Sequence, residues 1–206
     1  NSIFRRVLNV SCYIIFPMMA GLSMVAEPLN SVVLTDKWLP AAGILRWNCL
    51  YYVATPVLLA NVQLHFAIGK NSTRIKAEVV RISLMITMFI GVMLSKVSVT
   101  AISAILAIIQ IIIAVYMMFE TKRATGLKIL DIISDIIPSI ISVLCMCGAV
   151  YLVSLIPAGN FALLIIEIIV GAIVYLLTSM LLKNKAYKEM LSILGAIIKS
   201  RKCTHA

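Results

Sequence analysis

Charged side chains are scarce in this sequence: they make up 13% of its 206 residues, about half the share of an ordinary soluble domain. Acidic groups are the rarer sign, with eight Asp and Glu against 18 Lys and Arg, and there are two histidines. Hydrophobic residues reach 62%, and mean hydropathy is +1.08. A soluble chain of this length must still cover itself with polar groups. The composition therefore excludes a soluble enzyme, a secreted disulfide scaffold and a disordered tail. What fits is an all-α, membrane-embedded helix bundle.

Catalytic patterns are lacking too. No His-x-x-His, Glu-x-x-His or Gly-x-Ser-x-Gly occurs. His65 lies near the end of an apolar run, and His205 sits in the last two residues of the tail. Gly21-Leu22-Ser23 has no partner base and reads as a small-residue helix contact. Cys12, Cys49, Cys145 and Cys147 read as small buried apolar groups. Cys145 and Cys147 are two apart on a helix, so they point in different directions and cannot readily pair or share a metal. Cys203-Thr204-His205 is too short and too terminal for a metal site. No enzymatic activity, cofactor or resident metal is expected.

What is present is span after span. A bilayer-crossing helix needs about 20 mostly apolar residues. Six such runs fall at roughly 7–26, 40–64, 79–95, 98–119, 133–156 and 161–182, and the only charged residues inside them are Arg46, Arg81, Asp135 and Glu167. Barrel strands would alternate in ten-residue segments, whereas Ile105–Val115 is almost continuously apolar. The connections Asp36–Pro40, Gly69–Ser72, Ser95–Ser98 and Pro157–Asn160 are rich in turn residues. Pro40 suits the first position of a helix, where its missing N–H costs nothing.

The basic residues are distributed unequally. With connections numbered alternately, fifteen of the 18 fall on the side of residues 1–6, leaving Lys37 and Lys96 opposite and Arg46 within a span. This is a positive-inside signal that places both ends in the cytoplasm. It also favours contact with anionic membrane lipids, and no compact basic domain exists to bind nucleic acid. The chain starts Asn1-Ser2-Ile3-Phe4 with no signal-peptide pattern, and Arg5-Arg6 precede the first span. An N-terminal portion is expected to precede these residues. No internal duplication is detectable within the six runs.

Transport leaves marks that catalysis does not. Pro17, Pro56 and Pro138 lie inside spans, where each frees a carbonyl and bends its helix. Such kinks serve gating, or reflect the general abundance of proline in membrane helices. Arg46 lies six residues past Pro40, about 9 Å into its helix. It either snorkels to the headgroups or faces inward to meet an anionic substrate group, with Asn48, Tyr51, Tyr52 and Thr55 giving the span a semi-polar face. Glu167 is embedded in Leu163–Val170 with nothing polar beside it. A short carboxylate there must be protonated, paired or facing water. Its candidate roles are proton coupling, a pair with Arg46, or a structural hydrogen bond to a neighbouring helix. Glu27 closes the first span beside Pro28 and is placed to line an outer vestibule. Asp131 and Asp135 suit the dipole at a helix N-terminus, and Gln110 is expected to face another helix. After residue 182, Tyr187, Met190, Leu191, Leu194 and Ile197–Ile198 recur at helical spacing among lysines. That pattern reads as an amphipathic helix on the cytoplasmic leaflet within a basic tail, 183–206.

Phe16-Pro17-Met18-Met19-Ala20-Gly21-Leu22, then Ala26-Glu27-Pro28-Leu29, then Asp36-Lys37-Trp38-Leu39-Pro40-Ala41 follow in an order that resembles bacterial polysaccharide exporters. These are the O-antigen and capsule flippases of the multidrug/oligosaccharidyl-lipid/polysaccharide exporter superfamily. Ala67-Ile68-Gly69-Lys70 resembles a further short segment of that family. The likeness covers residues 4–80, and the remainder follows by hydropathy and spacing. Thr35 departs from it, standing where the family usually has Gly. The resemblance implies the C-terminal portion of a two-lobed transporter of twelve or fourteen helices in the bacterial cytoplasmic membrane. It implies flipping of a polyprenyl-diphosphate-linked oligosaccharide to the outer leaflet by alternating access, with H+ or Na+ as coupling ion. The partners implied are the lipid-linked oligosaccharide and the N-terminal half of the same chain. No single catalytic motif carries over, so Arg46 and Glu167 rest on the residue reading alone. A cation-coupled drug exporter of the same superfamily and a non-transporting membrane scaffold are the alternatives.

Overall fold

A computed structural model describes residues 2–34, 36–94, 98–156, 160–182, 185–187 and 189–190. It consists of α1 (Ser2–Met24), α2 (Ala26–Leu34), a short 3-10 turn (Asp36–Trp38), α3 (Ala41–Ala67), α4 (Asn71–Leu94), α5 (Val99–Thr125), α6 (Ile129–Ser154) and α7 (Asn160–Leu181). The six α-helices other than α2 are long and apolar enough to cross a bilayer. With no strand among the described residues, the molecule is a polytopic helical bundle.

The helices overrun the apolar runs on the basic side. α4 begins at Asn71 rather than 79, α5 continues to Thr125 rather than 119, and α6 begins at Ile129 rather than 133. An apolar run measures the hydrocarbon layer, whereas helical hydrogen bonding continues into the headgroup layer until the backbone is broken. The breaks are Gly69 at φ 71° and Gly126 at φ 72°, left-handed conformations that a Cβ disfavours. At the other end of α5 the Ser98 hydroxyl accepts the Ala101 N–H at 3.3 Å, satisfying one orphan donor. Pro40, at φ −59°, stands one residue before α3.

Residues 26–34, mostly beyond the first apolar run, form the additional helix α2. Helical bonding carries on through the junction from Val25 to Gly21 and from Leu29 to Val25. Pro28 has no N–H for the Met24 carbonyl, so the break falls there. The turn residues Thr35, Ser95–Val97 and Pro157–Gly159 lie outside the described residues. So do Lys188, Leu191, Leu194, Ile197, Ile198 and Cys203–His205 of the tail.

Across the bundle the order is α7, α6, α1, α3, α5, α4, with α2 packed on both α3 and α7. Phe4, Leu8, Cys12 and Phe16 recur every four residues, a single stripe of α1. They pack with Ala60 of α3 and with Ile132 and Ile136 of α6. At the far edge Ala77 of α4 meets Ile109, Ile113 and Met117 of α5. The rest of α4 faces outward: 6% of its apolar window is buried, and Ile75, Val79, Ile86, Phe89 and Met93 are exposed. An apolar exterior of this kind suits lipid and not water.

Ion pairs tie the basic end together. Arg5 Nε donates to Asp135 Oδ2 at 2.6 Å, Lys185 Nζ lies 3.5 Å from Asp135 Oδ1, and Arg6 Nε lies 4.0 Å from Glu189 Oε2. The start of α1, the start of α6 and the segment after α7 therefore share one end. Asp135 was expected to serve the helix dipole. It is instead the seventh residue of α6, past the first turn, and it bridges to α1 and to the segment after α7.

Candidate functional site

Glu167 is 2% exposed. Its Oε2 has no hydrogen-bond partner, and the carboxyl makes no ion pair among the described residues. It borders a cleft of about 570 Å³ between α1, α2, α6 and α7. The walls are almost wholly apolar, including Met18 and Leu22 of α1, Leu29 of α2 and Met146 of α6. Small residues make the space: Gly21 and Ala172 line it, and Gly171 holds α7 close to α6. A Cβ at Gly171 would come within 3.2 Å of Val150. Pro17 also lines the cleft, while Pro56 is buried in α3 and Pro138 lies within α6.

Pro17 explains the polar contact beneath the cleft. A helix would bond the Tyr13 carbonyl to the N–H four residues on, which proline lacks. Tyr175 of α7 supplies the missing donor, its hydroxyl reaching that carbonyl at 2.7 Å. The Tyr13 and Tyr175 rings lie 5.1 Å apart, and Tyr187 joins them at 6.4 Å from Tyr13. Ala186 is fully buried here, and Met190 packs on the same cluster. The described part of the segment after α7 thus packs into the bundle's basic end.

The cleft gives Glu167 a definite chemistry. An unpartnered charge in such surroundings costs several kcal/mol. The carboxyl therefore needs either a proton or a cation, and it borders the cleft. No cluster of metal-ligating side chains occurs among the described residues.

Arg46 does not supply that cation. Its Nη2 is 2.9 Å from Glu27 Oε1, and its Nε donates to the Ser23 carbonyl at 3.4 Å. The pair of Arg46 with Glu167, one of the candidate roles, is not formed, because α2 stands between α3 and α7 and offers Glu27 first. Tyr52 lies outside the cleft as well, 52% exposed with its ring edge-on to Tyr51. Asn48 and Tyr52, four apart, share an exposed, semi-polar face of α3, whereas Arg46 points to the other side of the helix, toward α2.

Sequence reasoning missed a second polar cluster. Thr121 Oγ1 of α5 donates to Asn61 Oδ1 of α3 at 2.6 Å. His65 Nδ1 lies 2.8 Å from the Asn61 carbonyl, and all three residues are fully buried. A carbonyl can only accept, so Nδ1 carries a proton, and the buried Nε2 has no partner among the described residues. The signal was present: Asn61 and His65 are four apart in an apolar helix, a spacing that puts both on one face.

A family model described as a polysaccharide biosynthesis protein matches residues 1–43. No curated protein and no solved structure matches the chain. Over that short stretch the chain is similar to that polysaccharide biosynthesis family, and its six apolar helices are those of a multi-pass membrane protein. The matched stretch holds α1, α2 and Glu27, and supplies one whole side of the Glu167 cleft.

Proposed function

We propose that this chain is part of a membrane transporter that carries a polyprenyl-diphosphate-linked oligosaccharide from the inner to the outer leaflet by alternating access. Glu167 is its proton- or cation-coupling group. The observation that carries this reading is a buried carboxyl with no partner among the described residues, set in a cleft whose facing wall is the stretch matched to polysaccharide biosynthesis. Loading and unloading a proton or Na+ at Glu167 changes what the cleft tolerates in a low-dielectric setting, which biases α7 against α1. The exposed Arg46–Glu27 pair on one side of α3, and Asn48 and Tyr52 on another, supply polar surface of the kind that a glycan and a diphosphate require. The chain acts with the remainder of a two-lobed transporter and not as an enzyme.

The test is export of surface polysaccharide in the native host. Glu167→Gln keeps shape but not charge, and it is expected to lower surface polysaccharide at least tenfold at normal protein levels, with lipid-linked intermediate accumulating inside. Full export by both Glu167→Gln and Arg46→Gln at normal protein levels would overturn the proposal and favour a scaffold. A second reading is favoured by one observation: the cleft is apolar with a single carboxyl, a combination that suits a lipophilic cation. A drug exporter would show cells sensitised to lipophilic cations by Glu167→Gln, with polysaccharide unchanged.

A further inference from the structure

A smaller hollow, of about 180 Å³, opens between α3, α4 and α5, on the opposite side of the bundle from the Glu167 cleft. Leu58 and Val62 of α3 and Met117 of α5 form an apolar wall, and Arg74, Glu78 and Arg81 of α4 form a polar one. Positions 74, 78 and 81 follow the i, i+4, i+7 spacing of one helix face.

The charge on that face is not balanced. Arg81 Nη2 pairs with Glu78 Oε1, but Arg81 Nε is buried with no hydrogen-bond partner among the described residues. The Arg74 guanidinium stacks over the Phe66 ring at 4.6 Å, and no carboxylate pairs with it among the described residues. Stacking occupies the flat face of a guanidinium and leaves its N–H edge free, the edge that fits phosphate oxygens. The apolar stretch of α4 starts near residue 79, so Arg74 stands at headgroup depth and Arg81 just below it. Lys70 and Lys76 are exposed nearby and add to the positive field.

We propose that Arg74 and Arg81 hold the phosphate of an anionic phospholipid, with its acyl chains running along the apolar wall at Leu58 and Val62. One carboxylate against two guanidiniums leaves a net positive site, and the lipid phosphate restores neutrality. The α3–α4 seam, along which α4 is otherwise sparsely packed, is thereby filled. The inference rests on this seam and is independent of the transport reading.

Thermal unfolding of the full-length protein in neutral detergent tests it, because a ligand held only by the folded state raises the midpoint. Phosphatidylglycerol, phosphatidylcholine and inorganic pyrophosphate are compared at equal phosphorus concentration. Phosphatidylglycerol is expected to raise the midpoint and phosphatidylcholine to leave it unchanged. Arg74→Gln/Arg81→Gln is expected to remove at least half of the shift, and Lys122→Gln/Lys128→Gln to keep it. If the double variant does not fold, Arg74→Gln alone, at an exposed position, is expected to lose a measurable part. An equal shift with phosphatidylcholine, or a full shift in the arginine variants, would overturn the site. A pyrophosphate shift as large as that of the lipid would assign it to free phosphates instead.

Discussion

The Tyr175 hydroxyl answers a carbonyl that Pro17 leaves without a helical donor, and the pair is enclosed between α1 and α7. Tyr175→Phe would orphan that carbonyl at a cost of about 1 kcal/mol, read as a lower unfolding midpoint in detergent. Glu167→Gln should behave oppositely in stability, unfolding at or above the wild-type midpoint, because it removes an ionisable group that has no partner among the described residues. A fall of several degrees would mean that the carboxyl is held by a contact. Glu167 was legible in the sequence, since a lone carboxyl amid eight residues of oil is conspicuous. Its separation from Arg46 was not, because Glu27 intercepts the arginine from a helix too short for hydropathy to reveal.

At the scale of elements, hydropathy located every long helix but not its ends. Apolar runs mark where lipid begins, while Gly69, Gly126 and Pro28 decide where the backbone stops. The α1–α7 contact gives the sharper test. In a Pro17→Ala background the new N–H can bond the Tyr13 carbonyl within α1, so the Tyr175 hydroxyl becomes redundant. The cost of Tyr175→Phe is therefore expected to fall by half or more in that background, measured as a double-mutant cycle. Strict additivity would show that Tyr175 contributes only by packing.

For the whole molecule, the unequal placement of basic residues foretold which helix ends gather together, but not that three carboxylate–cation contacts would bind them. Lysine and arginine counts report topology, whereas pairing depends on which helices become neighbours in space. Asp135→Asn is expected to destabilise by about 1–2 kcal/mol, a figure reduced for the solvent around half-exposed Arg5. The wild-type–variant difference should shrink as salt is raised, and a salt-independent difference would point to packing. The order of helices across the bundle also sets a timetable for biosynthesis. α1 lies between α3 and α6, so its Phe4–Phe16 stripe is covered only after Ile132 and Ile136 emerge from the ribosome. At ordinary elongation speeds that interval is on the order of ten seconds. Until then a nascent α1 keeps one flank in lipid with Arg5 unneutralised, and a chaperone or insertase that shelters it would act in that window.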